Sequence, residues 1–520
     1  MQSDDSDSDW IDEDEDDDDL FETEQESGAE SGSDGESAFS DVGNEDPNDV
    51  PTTPRLTTNM NPPKLPKIFH YVNTRHLKPI SVRAKQALLA QFLPNPYSSR
   101  NSVWKEYEAK PYCAQFSYDG ATVYSATQDF KIHLYNAHND FASIATINAV
   151  PGRWTITDCD MSKDSRSLLY SSIHSTIYFV NLAPFVGVGN SDCSGITDDS
   201  SSHIPLSMGE HCGIWSIRLS DDGKEVVAGA SEGLIFVYDV EYNRVVHRVQ
   251  AHNDDVNAVT FADQSSNLLL SGSDDGLIKV WDRRSSLHSN TPAGILPGHT
   301  EGITFISTRG RDGRTAVSNA KDQTLKVWDL RNMVSPSSET ARVVSRMDYG
   351  TGFDYRWQPY PLNRRVNHHP HDVSVATFKG HSVLRTLIRC HYSPESTGYR
   401  YLYSGSADGC VYIYDPVLNP TGGDPIHILN TAAVRTTQRP MTHEEEELVL
   451  QRFAPDDREM TPVERAYLLR LLRQRQRQRS GRETCVRDVT WNPNCSQLVA
   501  SVWKGEEGGL ESFEFGQDFE

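Results

Sequence analysis

AHNDDVNAVTFADQSSNLLLSGSDDGLIKVWDRR, residues 251–284, contains three short β-rich runs, VNAVTF, NLLLSGS and LIKVW, parted by turn residues that include Asp275-Gly276. Such a pattern reads as strands joined by tight turns. The same order returns as GHTEGITFISTRGRDGRTAVSNAKDQTLKVWDLR at 298–331, where Ser271, Asp275 and Trp281 reappear as Ser318, Asp322 and Trp328, each shifted by 47 residues. A third copy, GHSVLRTLIRCHYSPESTGYRYLYSGSADGCVYIYDP at 380–416, keeps the internal spacing through Ser404, Asp408 and Tyr414. Weaker copies lie at 112–136, 153–182, 211–240 and 484–515, making seven. Self-similarity at such a period marks a repeat architecture.

One small sheet has two faces to cover and two open edges. Stacking sheets radially covers the faces, and a ring protects most edges. The expected fold is therefore all-β, a seven-bladed propeller. The repeats resemble the WD40 family through Gly298-His299, Gly380-His381, Trp281-Asp282 and Trp328-Asp329. In that family a His, a Ser or Thr, an Asp and a Trp form a hydrogen-bonded chain within a blade. The resemblance implies such chains from His252, Ser271, Asp275 and Trp281 in blade four, and from His299, Ser318, Asp322 and Trp328 in blade five. In blade six it implies His381, Ser404, Asp408 and Tyr414, with Tyr in place of Trp. Blade three departs, with Ala228 and Glu232 at the Ser and Asp positions, and blades two and seven lack most of the set. A recurring His, Ser and Asp could suggest a hydrolase triad. A catalytic site is normally unique, whereas this set repeats at fixed spacing and ends at an aromatic residue, so the reading is structural.

Blades four and five end Trp281-Asp282-Arg283-Arg284 and Trp328-Asp329-Leu330-Arg331, both WDxR. This is similar to the substrate receptors of cullin-4 RING ubiquitin ligases, the DDB- and cullin-4-associated factors. The segments DYRWQ (354–358), 380–415 and CVRDVTWNP (485–493) add to the resemblance, as does the acidic Ser/Asp start. It implies that Arg284 and Arg331, with Asp282 and Asp329, meet the DNA-damage-binding adaptor subunit. Arginine suits an interface because it stays charged and presents a planar fork of donors. The competing reading is an arginine salt bridge between blades. A helix expected at 81–93 and stopped by Pro94 sits where such receptors often dock the adaptor, so Leu88, Leu89 and Phe92 join the expected contacts.

The remaining chain bounds these readings. Net charge is −25, and residues 1–50 hold no Lys or Arg, so most of the imbalance belongs to that segment. The rest is near neutral, which gives no reason to expect nucleic-acid backbone binding. The eight cysteines show no CxxC pair and read as reduced thiols of a nuclear and cytoplasmic protein. No apolar run reaches the roughly 18 residues of a membrane span, and the acidic start does not fit a targeting peptide. The expected organisation is a disordered acidic tail over 1–65 and an extension with the short helix over 66–110. Blades one to six follow over 111–421, then a helical insertion over 422–483 and the last blade over 484–520. Capping-box patterns at Thr442/Glu445 and Thr461/Glu464 start two helices in the insertion, whose end is basic from Arg470 to Arg482. The ending WKGEEGGLESF in blade seven, where a Trp-Asp would stand, predicts an irregular outer strand.

No phosphate-binding loop, dinucleotide fingerprint, zinc-protease motif or nucleophile elbow occurs. His368, His369 and His371 form a small cluster in a loop, read as solvated rather than metal-binding. No cofactor, metal or catalytic residue is expected. The leading expectation is a non-catalytic receptor that joins the ligase adaptor to protein substrates, transcription factors among them, for proteasomal degradation. The alternatives are a WD40 scaffold of a chromatin or RNA-processing complex, and an enzyme that uses the propeller channel.

Overall fold

Six-residue strands such as Val256–Phe261 are buried along their whole length rather than on alternate residues. That requires cover on both faces, and the computed structural model supplies it by placing each sheet between two others. The structure describes residues 104–183, 197–198, 203–209, 212–285, 287, 290–347, 349–361, 368–432, 434 and 484–514. The tail over 1–65, the helix over 81–93 and most of the 422–483 insertion lie outside them.

Among the described residues, seven sheets follow one another along the chain, antiparallel except for one added parallel strand in each of two. Blade one runs over Pro111–Asn148, blade two Ile156–Ser207, blade three Ile214–Gln250 and blade four Val256–Leu296. Blade five runs over Ile303–Phe378, blade six Cys390–Asn430, and blade seven begins at Thr484. Apolar clusters join each blade to the next. Val227, Ile235 and Val237 of blade three meet Val256, Val259 and Trp281 of blade four. Ala258, Leu270 and Val280 of blade four meet Ile303, Ile306 and Trp328 of blade five. The series closes where Val499 and Leu510 of blade seven meet Ala114, Val123 and Tyr135 of blade one. Glycine lets the blades approach this closely: a Cβ on Gly272 would stand 2.7 Å from Ile303 Cγ2, and one on Gly405 would strike the Val486 carbonyl.

The first strands line the axis. Six of them shift register against the second strand by one bulged residue near their start, for example between Ile156 and Asp158 and between Val486 and Asp488. A bulge re-aims a side chain, and here the skipped residue reaches the next blade. Thr157 Oγ1 donates to the Ile214 carbonyl at 2.7 Å, Asn257 Nδ2 to Ile303 at 3.1 Å and Thr304 Oγ1 to Ile388 at 2.9 Å. Arg487 donates in the same way to the Tyr112 carbonyl, from blade seven to blade one.

Three boundaries differ from the sequence reading. Trp104–Tyr107, expected in the extension, is the outermost strand of blade seven and pairs Trp104 with Glu511 through to Tyr107 with Gly508. The outer part of that blade is regular: Glu507–Glu514 pairs without a break along Gln497–Lys504. Its outermost strand comes from the segment that precedes blade one. Gly422–Gly423 adds to blade five in parallel, and His427–Asn430 is the fourth strand of blade six, so the insertion begins after this strand.

Candidate partner-binding faces

Within a blade, an indole N–H buried beside a serine needs an acceptor. In blade four Ser271 Oγ accepts from Trp281 Nε1 at 2.9 Å and meets His252 Nε2 at 2.8 Å, while His252 Nδ1 lies 2.9 Å from Asp275 Oδ2. Blade five repeats this with Ser318 to Trp328 at 2.7 Å, to His299 at 2.7 Å, and His299 to Asp322 at 2.9 Å. Burial pushes the His252 pKa down, opposed by Asp275. These sets are buried braces: Ser271 and Ser318 are 0% exposed, so neither hydroxyl is open to a substrate as a nucleophile would be.

Blade six corrects the expected chain. The Tyr414 hydroxyl reaches His381 Nδ1 directly at 2.9 Å. Ser404 instead donates to the Gly405 carbonyl at 2.9 Å and accepts from Asn319 of blade five at 2.7 Å. Asp408 takes the Tyr412 hydroxyl at 2.6 Å. A phenol reaches past the serine's place, so of the four residues only His381 and Tyr414 are linked, and Ser404 and Asp408 bond elsewhere.

The Asp of each Trp-Asp ending has a role of its own. At the end of the third strand in blades one to six, a carboxylate or amide oxygen accepts from the backbone N–H two residues on. The acceptors are Asn136, Asn181, Asp239, Asp282, Asp329 and Asp415, at 2.8–3.0 Å. This Asx turn is general. In these six turns the donor residue is arginine in blades four and five alone. Arg284 folds back on Asp282 through Nε at 3.0 Å and Nη2 at 2.8 Å, and Arg331 on Asp329 through Nε at 2.9 Å and Nη2 at 2.5 Å. Their side chains stay 69% and 73% exposed. The arginine hydrogen bond holds each aspartate below the usual carboxylate range. The salt bridge between blades belongs to Arg283, which clasps Glu225 of blade three with Nη2 at 2.6 Å from Oε1. Leu330, at the matching place in blade five, is buried. The x of WDxR thus faces inward and the arginine faces solvent. Leu88, Leu89 and Phe92 lie outside the described residues.

The axis is closed by charge. Arg389 of blade six reaches across to Asp158 of blade two at 2.7 Å and to Asp488 of blade seven at 3.3 Å. Arg218 of blade three meets the same Asp158 at 2.5 Å. Phe305 of blade five lies under both guanidiniums, with ring-to-Cζ distances of 5.2 and 5.1 Å. Burial opposes ionisation of Asp158, but Arg218 and Arg389 outweigh it and hold the carboxyl at about 2.

Antiparallel order puts third-strand ends and first-strand starts on opposite faces. The face opposite Arg284 and Arg331 bears a 710 Å³ cup. Tyr112, Thr157, Thr386 and Arg487 lie low in it, and Trp154 and Trp357 stand at 58% and 86% exposure. DYRWQ forms a braced turn beside it. Asp354 O accepts from Gln358 N at 2.8 Å, Asp354 Oδ1 from Arg356 N at 2.9 Å, and Gln358 Oε1 from Asp354 N at 3.2 Å. Tyr355 anchors the turn: its carbonyl accepts from Arg385 N at 2.7 Å and its ring lies 4.2 Å from Lys321 Nζ. In the sequence this pentapeptide is legible only as a resemblance and the cup not at all, because the cup's walls come from five blades and the blade-five loop.

His369 is buried against Tyr349 at 4.3 Å and accepts from His371 N at 3.0 Å, and burial pushes its pKa down to about 4. His369 is therefore a packed ring, not the solvated one expected. Among the described residues, no three His, Cys, Asp or Glu side chains are arranged to hold a metal ion, and no helix is long and apolar enough to cross a membrane.

Comparison with known proteins agrees with this architecture. The family model "WD domain, G-beta repeat" matches residues 204–239, 243–282, 290–329 and 372–415. A LEC14B homolog from Prunus armeniaca is 42% identical over 338 residues, covering 64% of this chain and 68% of its own length. The LEC14B protein of Lithospermum erythrorhizon is 46% identical over 316 residues, covering 61% of this chain and 66% of its own length. A DDB1- and CUL4-associated factor 11 homolog from Caenorhabditis elegans is 33% identical over 350 residues, covering 64% of this chain and 57% of its own length. Seven blades, the WDxR pair and these similarities show that the chain belongs to the WD40-repeat family that includes the LEC14B proteins and the DDB1- and CUL4-associated factor 11 homologs.

Proposed function

We propose that the chain is a substrate receptor of a cullin-4 RING ubiquitin ligase. Arg284 and Arg331 dock the DDB1-type adaptor, and the opposite face holds the protein to be modified. The observation that carries this reading is the pair of solvent-facing, identically chelated arginines in adjacent blades, on a chain similar to proteins named for DDB1 and CUL4 association. An aspartate already bound to the fork fixes each guanidinium in one orientation, so less freedom is lost on docking. The receptor does no bond chemistry. It raises the concentration of substrate lysines near the charged enzyme, in nucleus and cytoplasm, and its substrates pass to the proteasome.

The test is adaptor pull-down with Arg284→Ala plus Arg331→Ala. Adaptor recovery falls at least tenfold while the melting temperature of the variant stays that of the parent. Undiminished recovery by the folded double variant removes the proposal.

A further inference from the structure

The cup on the face away from the arginine pair is cationic in a chain of net charge −25. Lys110, Arg356, Arg385 and Arg487 line it against one acid, Glu506, which is already paired with Lys110 at 3.0 Å. Its aromatic walls would suit a cation, but those four charges select against one. An anionic group beside an apolar or planar side chain satisfies both features.

Arg487 makes the site specific. It is 5% exposed and held from three sides: Nε donates to Thr386 Oγ1 at 3.1 Å, one Nη donates to the Tyr112 carbonyl, and the Tyr112 ring lies 5.0 Å from Cζ. Its Nη2 makes no hydrogen bond to any described residue. That donor opens to the foot of the cup, and a guanidinium already held in place offers an oxygen ligand a strong, charge-assisted hydrogen bond. The axis beyond is shut by Arg389, Asp158 and Asp488, so a chain that enters the cup cannot thread on through the ring.

We propose that the cup binds the free C-terminal carboxylate of a partner polypeptide. The terminal carboxylate lies against Arg487, with Arg356 and Arg385 at the rim, and the last side chains lie between Trp154 and Trp357. A volume of 710 Å³ falls within the roughly 300–1,000 Å³ typical of ligand pockets, and capture of a chain end is an established mode of peptide recognition. The DYRWQ turn sets specificity: Asp354 and Gln358 brace it, and Arg356 and Trp357 make the contact. This inference rests on the receptor reading only in calling the bound protein a substrate.

The test uses the purified full chain without adaptor, so its failure leaves the adaptor proposal standing. N-terminally immobilised random decapeptides are offered in three pools: free acid, C-terminally amidated, and amidated with an internal Asp-Glu pair. The free-acid pool retains at least tenfold more protein than either amidated pool. Trp357→Ala plus Arg356→Ala, both outside the ring's core, lowers that retention at least fivefold at an unchanged melting temperature. Equal retention by the amidated pool, retention that follows the internal acids, or indifference to the double variant overturns the proposal.

Discussion

At the scale of single residues, the same amino acid does different work at nearly the same place. Arg283 clasps Glu225 across a blade boundary, whereas Arg284 is chelated by its own turn and faces water. The Asx bond in that turn comes from the Arg284 backbone N–H, so Arg284→Ala leaves it in place and the melting temperature unmoved. Arg283→Ala strands a half-buried Glu225 and lowers it; thermal melts of the two variants side by side decide this. Ser271 is the hinge of its brace, and Ser271→Ala leaves the Trp281 indole and His252 Nε2 buried without partners. About 2–3 kcal/mol of stability goes with it, measurable by urea unfolding. Histidines dominate the response to acid. Burial pushes His381 and His133 from 6.5 to about 4, so the folded chain binds fewer protons than the unfolded one across that interval. Stability therefore falls as the pH drops from 6.5 to 4, and His381→Gln flattens part of the slope. Asp158, held at about 2, adds stability that is present above 3.8 and lost only between 3.8 and 2. Urea midpoints at pH 7, 5 and 4 separate the two groups: a flat profile down to pH 4 contradicts the histidine assignment.

At the scale of elements, the repeat was legible because strand length, turn residues and the Ser-Asp-Trp spacing recur together. The braces of blades four and five follow from that spacing, since Trp and Ser at fixed registers bring the same atoms together. Blade six does not, because one tyrosine hydroxyl reaches the histidine that serine meets elsewhere. Trp104–Tyr107 carries no repeat mark, being a strand without the rest of its blade. The axial cluster was invisible for another reason: Asp158, Arg218, Arg389 and Asp488 each look like a lone charge in a β-run, and only ring closure sets them side by side. Removing one member of a buried ion cluster strands the others at a cost of about 3–5 kcal/mol. Arg389→Met is expected to destabilise the ring by this amount, and adding Asp158→Leu to deepen the loss, because Arg218 is then stranded as well. Chemical denaturation of the single and double variants checks it.

For the whole molecule, the ring separates two faces by chemistry as well as by distance. The arginine pair stands at third-strand ends, the cationic aromatic cup opens among first-strand starts, and the shut axis keeps a ligand of one from threading to the other. Damage to one face is expected to leave the other working: Trp357→Ala retains full adaptor recovery in the pull-down, and a parallel loss in both assays would mean a general folding defect. Closure depends on a strand donated by the segment that precedes blade one. A polypeptide starting at Pro111 leaves Glu507–Glu514 as an open edge, which invites strand pairing between copies. Such a chain melts earlier than one starting at residue 104 and sediments as higher-order species.

The two ends of blade seven are also separated in time. The ribosome delivers Trp104–Tyr107 before, and Glu507–Glu514 after, every other described strand, so the seam waits until the six intervening blades have been made. A nascent chain that pauses before residue 484 holds an arc of six sheets with both terminal faces bare to water. During that interval the unpaired apolar faces are open to chaperones and to other nascent chains.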